Sequence, residues 1–135
     1  MRAFLDTSVL VAGDYNMGAG FELAVTSPSY AELEFGAHMP GLDPVTRALR
    51  RERIIEILET FGPGAPFDDR AAQSYGLLTE CVMRSGRQVR RRVMGLQIAA
   101  IAHCHHVALV TLNAEDLRGI ERLVKIIPGA AADHE

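Results

Sequence analysis

Several acidic residues follow directly on buried segments of this 135-residue sequence, and they are its strongest candidates for chemistry. Asp6 ends the first apolar run, Asn113 and Asp116 follow the third, and Glu32 lies one turn into the helix expected after the second. No Cys–His or Ser–His pair stands out as a nucleophile. Oxygen ligands suit Mg²⁺ or Mn²⁺, which can activate water and stabilise charge on a phosphate. The pattern therefore favours metal-assisted phosphodiester hydrolysis.

The elements that must position these residues are short apolar runs alternating with helical segments. Such alternation predicts an α/β fold, in which helices cover both faces of a central, mostly parallel sheet of four to five strands. Ligand sites in such sheets lie beyond the carboxyl ends of the strands, where Asp6 stands. The runs expected as strands are residues 3–5, 23–26, 107–111 and 124–127.

Two amphipathic helices are expected between the second and third strands. One covers residues 44–60, and the other covers residues 68–84 with Asp68 or Asp69 as its N-cap. Their apolar residues exceed what one side of a small sheet needs, so we expect a partner to bury the excess. The apolar residues of the first helix are Val45, Leu49, Ile54, Ile57, Leu58 and Phe61.

Length and composition predict one globular domain, residues 1–128, with a flexible tail at 129–135. The chain is 48% hydrophobic and 23% charged, which excludes disorder. Its net charge of −3 excludes a protein that coats nucleic acid non-specifically. Asp6 interrupts the first apolar run, so we expect no signal peptide, no membrane span and a cytoplasmic location. Two cysteines, Cys81 and Cys104, make no disulfide framework.

Arginines form two clusters, and arginine suits phosphate and carboxylate recognition. The first, within residues 47–53, is interleaved with glutamates and is expected to be a solvated, salt-bridged helix face. The second lacks acids, and we expect it to contact RNA or an acidic stretch of a partner protein. Its members are Arg84, Arg87, Arg90, Arg91 and Arg92.

Four blocks of the sequence together resemble VapC-type PIN domains, the toxins of type II toxin–antitoxin pairs. The blocks are residues 4–10, 29–36, 96–102 and 110–117. The resemblance implies a three-layer α/β/α fold, a homodimer, a VapB-type antitoxin partner and contact with DNA only through that antitoxin. It also implies a Mg²⁺ or Mn²⁺ site. The implied metal ligands are Asp6, Glu32 and Asp116, with Thr7, Ser8 and Asn113 in supporting roles.

The third block departs from the family pattern, because Gly95 stands where family members carry an aspartate. Glycine and aspartate are both acceptable N-caps, so we expect the helix to begin at Gly95 while one carboxylate is lost. Three explanations stay open: impaired catalysis, a metal held through water or a neighbouring acid such as Glu115, or a protein that only binds its partner.

The main hypothesis is a metal-dependent endoribonuclease toxin that cleaves single-stranded or loop RNA. The alternative is an inactive PIN-fold protein that acts only through its antitoxin complex. A zinc site around Cys104 is disfavoured, because His103, His105 and His106 stand where a helix ends. A receiver domain is disfavoured because Lys125, the single lysine, is not at the carboxyl end of a strand.

Overall fold

The computed structural model describes residues 1–13, 15 and 20–129. This part of the chain contains four β-strands and five α-helices, with short 3₁₀ turns at Arg90–Arg92 and Ala114–Leu117. The helices are α1 (Thr7–Ala12), α2 (Ser27–Ala37), α3 (Pro44–Phe61), α4 (Asp69–Arg84) and α5 (Val93–Cys104), and the strands are β1 (Arg2–Leu5), β2 (Glu22–Ala24), β3 (Ala108–Thr111) and β4 (Ile126–Pro128).

The four strands form one sheet in the order β2-β1-β3-β4, and every neighbouring pair is parallel. Ala3 of β1 pairs with Leu23 of β2 and with Ala108 of β3, and Leu109 pairs with Ile126 of β4. The expected α/β fold with a central parallel sheet is therefore confirmed. Asp6, directly after β1, comes to lie beside the end of β3.

Alternate residues of the strands bury into different layers. Phe4 and Leu109 join a cluster formed mainly by α4 and α5, whereas Leu5 and Val110 join a cluster that includes α1 and Ile57 of α3. This alternation follows from the two-residue period of a strand. Helices therefore cover both faces, as the three-layer α/β/α prediction requires.

Polar residues fix the starts of three helices. Asp68 is the N-cap of α4 and accepts a hydrogen bond from the backbone N–H of Ala71 at 3.0 Å, which confirms one of the two expected caps. Asp43 caps α3 in the same way through Thr46. Thr26, expected to end a strand, is instead the N-cap of α2, so β2 ends at Ala24.

Helix α5 does not begin at Gly95, as the sequence predicted, but at Val93, with Arg92 as the N-cap residue. The reason is a side-chain contact: Arg92 is tied to two backbone carbonyls and so fixes where the chain enters the helix. Gly95 is the third residue of α5 and not its cap.

The carboxyl-terminal part of the chain also departs from expectation. The last strand is Ile126–Pro128, not 124–127, and proline is tolerated there because β4 is an edge strand. Gly129, assigned to the tail, is buried and its N–H donates to the carbonyl of Thr111 at 2.8 Å. Residues 130–135 of the expected tail lie outside the described residues.

Much of the apolar surface of α3 faces solvent. Ile54 and Ile57 are buried, but Val45 is 68% and Leu49 60% exposed. Leu58 is 44% exposed.

In the part of the chain that the structure describes, no helix combines the length and hydropathy that crossing a membrane demands.

Candidate active site

A cleft of about 660 Å³ opens at the carboxyl end of β1 and β3, next to the start of α5. The three acidic residues singled out in the sequence contribute to its walls. So do the expected supporting residues, Gly95 and the last three arginines of the second cluster. These cleft residues are Asp6, Glu32, Asp116, Thr7, Ser8, Asn113, Gly95, Arg90, Arg91 and Arg92.

Asp6 is anchored by hydroxyl groups from two parts of the chain. Its Oδ2 atom accepts hydrogen bonds from Ser8 Oγ at 2.9 Å and from Thr111 Oγ1 at 2.8 Å. Its backbone N–H donates to Val110 O at 2.8 Å, which continues the pairing of β1 with β3. Within the described residues, Oδ1 makes no hydrogen bond. One oxygen of the carboxylate is therefore fixed and the other is available to a ligand.

Thr111, the last residue of β3, is a hydrogen-bond partner of Asp6 that was not predicted from the sequence. Thr111 is buried, donates to Asp6 and accepts a hydrogen bond from the backbone N–H of Asn113 at 2.9 Å. Ser8 Oγ likewise accepts from the N–H of Leu112 at 3.0 Å. Only the pairing of β1 with β3 brings Thr111 beside Asp6. A threonine that ends a buried strand next to an acidic loop is the one signal that the sequence offered.

Glu32 is anchored in a similar way on the other side of the cleft. Its Oε1 accepts a hydrogen bond from Thr7 Oγ1 at 2.5 Å. Thr7 Oγ1 also lies 3.1 Å from Ser29 Oγ, and Ser29 Oγ lies 3.3 Å from Thr26 Oγ1. Ser29 and Thr26 are fully buried. This chain of hydroxyls joins the start of α1 to the start of α2 and sets the orientation of the Glu32 side chain.

Asp116 lies in the 3₁₀ turn that follows β3, and it is exposed. Its backbone carbonyl accepts a hydrogen bond from Arg92 Nε at 2.8 Å, and Arg92 also donates to Gln88 O. Arg92, expected to contact RNA or an antitoxin, thus links the loop of Asp116 to the start of α5. Its guanidinium group is largely committed to the fold.

Asp6, Glu32 and Asp116 share the cleft without meeting at one point. In residues 1–13, 15 and 20–129, no three acidic, histidine or cysteine side chains converge closely enough to hold a metal ion together. Their oxygen donors fit a hard divalent cation in kind. These donors do not form a complete set of metal ligands, which agrees with the absence of a carboxylate at position 95.

The surroundings of Gly95 leave room for that carboxylate. A Cβ atom added at Gly95 would approach Leu117 Cδ2 at 3.7 Å, which is ordinary van der Waals contact. Position 95 is also in the first turn of α5, where an acidic side chain is favoured by the helix dipole. The helix therefore accommodates either residue.

Glu115 is held away from the cleft. Arg118 donates to its Oε2 at 2.7 Å, and this hydrogen bond and charge hold the pKa of Glu115 below its ordinary value, with a smaller contribution from Arg87. Glu115 does not line the cleft. This geometry disfavours Glu115 as a substitute for the missing carboxylate.

The second arginine cluster divides into two groups. Arg90 and Arg91 are exposed at the cleft, whereas Arg84 forms a salt bridge with Glu80 at 2.9 Å on its own helix. Arg87 is not among the cleft residues and its charge acts on Glu115 and Glu121. The cluster therefore offers two arginines, not five, for an anionic ligand at this site.

The first arginine cluster is in part the expected solvated face, since Arg50 and Arg51 are exposed, but three of its members also hold backbone carbonyls of other helices. Arg47 donates to Ala37 O and Met39 O, and Arg50 donates to Gly36 O, at the carboxyl end of α2. Arg53 donates to Leu10 O and Val11 O at the end of α1. One of the expected salt bridges is present, from Arg53 to Glu56 at 3.7 Å.

Comparison with known proteins gives structural matches only. No protein-family model and no curated protein sequence matches the chain. It is similar to a chain of VapBC-5 from Mycobacterium tuberculosis, a member of the VapBC family of toxin-antitoxin systems, with a TM-score of 0.77 and 27% identity over 95% of this chain and 97% of that one.

Two further structures share the fold at lower identity. VapBC-1 from nontypeable Haemophilus influenzae has a TM-score of 0.68 and 21% identity over 92% of this chain and 96% of that one. VapBC2 from Rickettsia felis, bound to a DNA fragment from the promoter, has a TM-score of 0.70 and 19% identity over 95% and 97% of the two chains. The similarity therefore extends along most of the chain and is not confined to one motif.

Proposed function

We propose, from the premise that this chain has the fold of VapC-type PIN-domain toxins, that it is a metal-dependent endoribonuclease held in check by a VapB-type antitoxin. The sequence blocks and the structural neighbours agree on the resemblance. Ribonuclease activity and its dependence on Mg²⁺ or Mn²⁺ are our proposal for this chain.

One observation carries the proposal: two separately anchored carboxylates line the same cleft. Asp6 and Glu32 are 26 positions apart in the sequence. Hydroxyl groups fix one carboxylate oxygen of each. Such fixation is typical of carboxylates that must hold a ligand in a defined geometry. Arg90 and Arg91 beside them supply the positive charge that a phosphate backbone needs.

The chemistry assigned to each residue follows from its position. Asp6, Glu32 and Asp116 would hold the divalent cation, which when bound activates water and neutralises charge on the scissile phosphate. Thr7, Ser8 and Thr111 keep the carboxylates oriented through their hydroxyl groups. Arg90 and Arg91 bind neighbouring phosphates of a single-stranded RNA and keep the strand in the cleft.

A second candidate function is favoured by Gly95. Without a fourth carboxylate, and with no three ligands converging among the described residues, the chain would serve as an inactive PIN-fold partner of its antitoxin. Both functions use the same fold. They differ in whether the cleft binds a divalent cation and cleaves RNA.

Restoring the carboxylate separates these candidates. We expect Gly95→Asp to raise Mg²⁺ affinity, measured by calorimetry, and the RNA cleavage rate by about 10–100-fold, because even the loss of outer ligands costs that much. Gly76→Asp is the matched control, since a Cβ at Gly76 meets nothing within 4 Å and lies on α4, outside the cleft. Asp6→Asn should abolish cleavage.

Three results would each contradict one part of the proposal, namely the metal, the role of position 95 or catalysis itself. Cleavage that persists when the metal is chelated would remove the metal from the mechanism. Equal rates for the present sequence and Gly95→Asp would mean that position 95 is not a ligand position. Metal binding and cleavage that are missing from both proteins, while an antitoxin still binds, would establish the second candidate.

A further inference from the structure

A second hollow, of about 530 Å³, lies at the opposite edge of the sheet. It is formed where β1 and β3 begin and where α5 ends, so it is separated from the cleft by the length of the strands. None of the described residues that line it is acidic, in a chain of net charge −3. Its basic residues are Arg2, His103, His105, His106 and Lys125.

The floor of this hollow is apolar. Of its apolar residues, Ala102 and Ala108 are buried, Val107 is half-buried and Leu123 is 38% exposed. A floor of this kind with a basic rim matches a ligand that has one flat or apolar part and one strongly anionic part. The volume falls within the range of about 300–1,000 Å³ that is typical of small-molecule sites.

Two of the histidine rings are held by specific contacts. His103 Nδ1 lies 2.7 Å from the hydroxyl of the buried Ser74, which leaves Nε2 as its second nitrogen. The ring of His105 packs edge-on against Phe4, with 5.7 Å between ring centroids and 73° between planes. Rings that are fixed in this way lose little conformational entropy when they bind a ligand.

His106 adopts a backbone conformation that disfavours its side chain. Its φ angle is 57°, the one positive φ of a non-glycine residue in the described part of the chain. The N–H of Val107 donates to Ala102 O and that of His106 to His103 O, which is the helix ending that normally carries glycine at this position. Histidine is among the non-glycine residues that adopt this conformation most often, so the helix ending tolerates His106 at a position that lines the hollow.

We propose that this hollow binds a phosphate-bearing nucleotide. In this proposal Lys125, Arg2 and His106 contact the phosphate, and the base lies on the apolar floor. Lys125 is exposed, and its backbone carbonyl accepts from Leu109 N–H at 2.9 Å, which fixes its position beside β3. Arg2 is 3.6 Å from the exposed Glu22, a surface pair weak enough for a phosphate to displace. Phosphate, with several acceptor oxygens and up to two charges, suits this many donors better than a single carboxylate does.

The test is a titration with AMP, followed by NMR of the backbone amides of Val107 and Ala108 at one fixed pH. AMP should bind more tightly than inorganic phosphate and much more tightly than adenosine. Lys125→Gln should raise the Kd for AMP roughly tenfold, as expected for one charge-assisted hydrogen bond. Arg51→Gln, which removes an exposed charge from α3, is the matched control and should leave Kd unchanged.

His106→Gly is the decisive variant because glycine fits the backbone better than histidine does. We expect it to raise the Kd for AMP while the Tm stays the same or increases. A lower Tm with unchanged AMP binding would show that His106 is structural and would overturn its part in the site. Undetectable AMP binding at millimolar concentration, or equal binding of adenosine, would overturn the proposal as a whole.

The nucleotide could be free or the end of an RNA strand. Competition with oligonucleotides that carry a 5′-phosphate or a 5′-hydroxyl distinguishes these sources. Displacement of AMP from Val107 and Ala108 by the 5′-phosphorylated strand alone would identify an RNA end. Displacement by neither strand would identify a free nucleotide.

Discussion

Hydroxyl groups, more than charges, determine the geometry of the two best-placed carboxylates. Asp6 is held by Ser8 and Thr111, and Glu32 by Thr7. Acidic residues grouped at one site repel one another, which by itself predicts that removal of Asp6 costs no stability. The hydrogen bonds change that expectation. Asp6→Ala would leave the buried Thr111 hydroxyl without this acceptor, at a cost of about 1–3 kcal/mol, so Asp6→Asn is the cleaner test.

Thr111 offers a test of this positioning role. We expect Thr111→Val to lower Mg²⁺ affinity and the RNA cleavage rate by about tenfold, because Asp6 loses a donor that fixes it. The free energy of unfolding should fall by about 1–3 kcal/mol, because valine keeps the shape of threonine but leaves the Asn113 N–H without this acceptor. Thr111→Ser should restore the activity. Wild-type Mg²⁺ affinity in the valine variant, measured by calorimetry, would make Thr111 a packing residue only.

At the scale of elements, arginine side chains of α3 donate hydrogen bonds to the last backbone carbonyls of other helices. The last carbonyls of a helix lack partners within it and carry partial negative charge. Arg50 and Arg53 satisfy such carbonyls at the ends of α2 and α1. The interleaved glutamates in the sequence suggested a solvated, salt-bridged face. Helix-to-helix capping could not be inferred, because it depends on which helix ends lie beside α3.

The 3₁₀ turn Arg90–Arg92 is the element that we expect to contact RNA. Replacement of both Arg90 and Arg91 by glutamine should weaken binding of single-stranded RNA. The slope of log K against log salt concentration should also become less steep by about 1.4, because each phosphate that an arginine neutralises contributes about 0.7 to the slope. Fluorescence anisotropy at several salt concentrations measures this slope.

Arg84→Gln is the control for this prediction. Arg84 is paired with Glu80 and does not line the cleft, so its removal should leave the slope unchanged. The double variant and the wild type should differ; if their slopes agree, the turn is a solvated surface with no role in RNA binding.

At the scale of the whole molecule, exposed apolar side chains suggest self-association. Ile55 and Leu58 of α3 are 55% and 44% exposed, and Leu77 and Met83 of α4 are 50% and 60% exposed. Large exposed apolar surface is rare on monomers and is usually covered by a partner. The two helices expected from the sequence to be excessively apolar thus both carry uncovered apolar surface, as do Val11 of α1 and Phe35 of α2.

We expect a homodimer in solution. Light scattering at micromolar concentration should give twice the 14.7 kDa mass of the chain. Ile55→Glu combined with Leu58→Glu should shift the protein to the monomer, because a charge cannot be buried in an apolar interface without a partner. Gln73→Glu, at an exposed polar position on α4, is the control. A wild-type protein that is already monomeric would contradict the prediction.

The sequence by itself determined the fold class and the edge of the sheet where the cleft lies. Alternating apolar runs and amphipathic helices allow few arrangements other than a parallel sheet covered on both faces, and ligand sites in such sheets follow the strand ends. Asp6 and Glu32 were found in this way. Both line the cleft because their positions depend on local structure, at the end of a strand and in the first turns of a helix.

Only the tertiary structure decided how these residues are held and which of their neighbours share the cleft. Thr111 reaches Asp6 through the pairing of two strands that are more than 100 positions apart. Arg92 reaches the loop of Asp116 through a hydrogen bond to its backbone carbonyl. Helix α5 starts at Val93 and not at Gly95 because Arg92 is tied to carbonyls outside its helix. Such contacts are long-range, and no local pattern of residue types contains them.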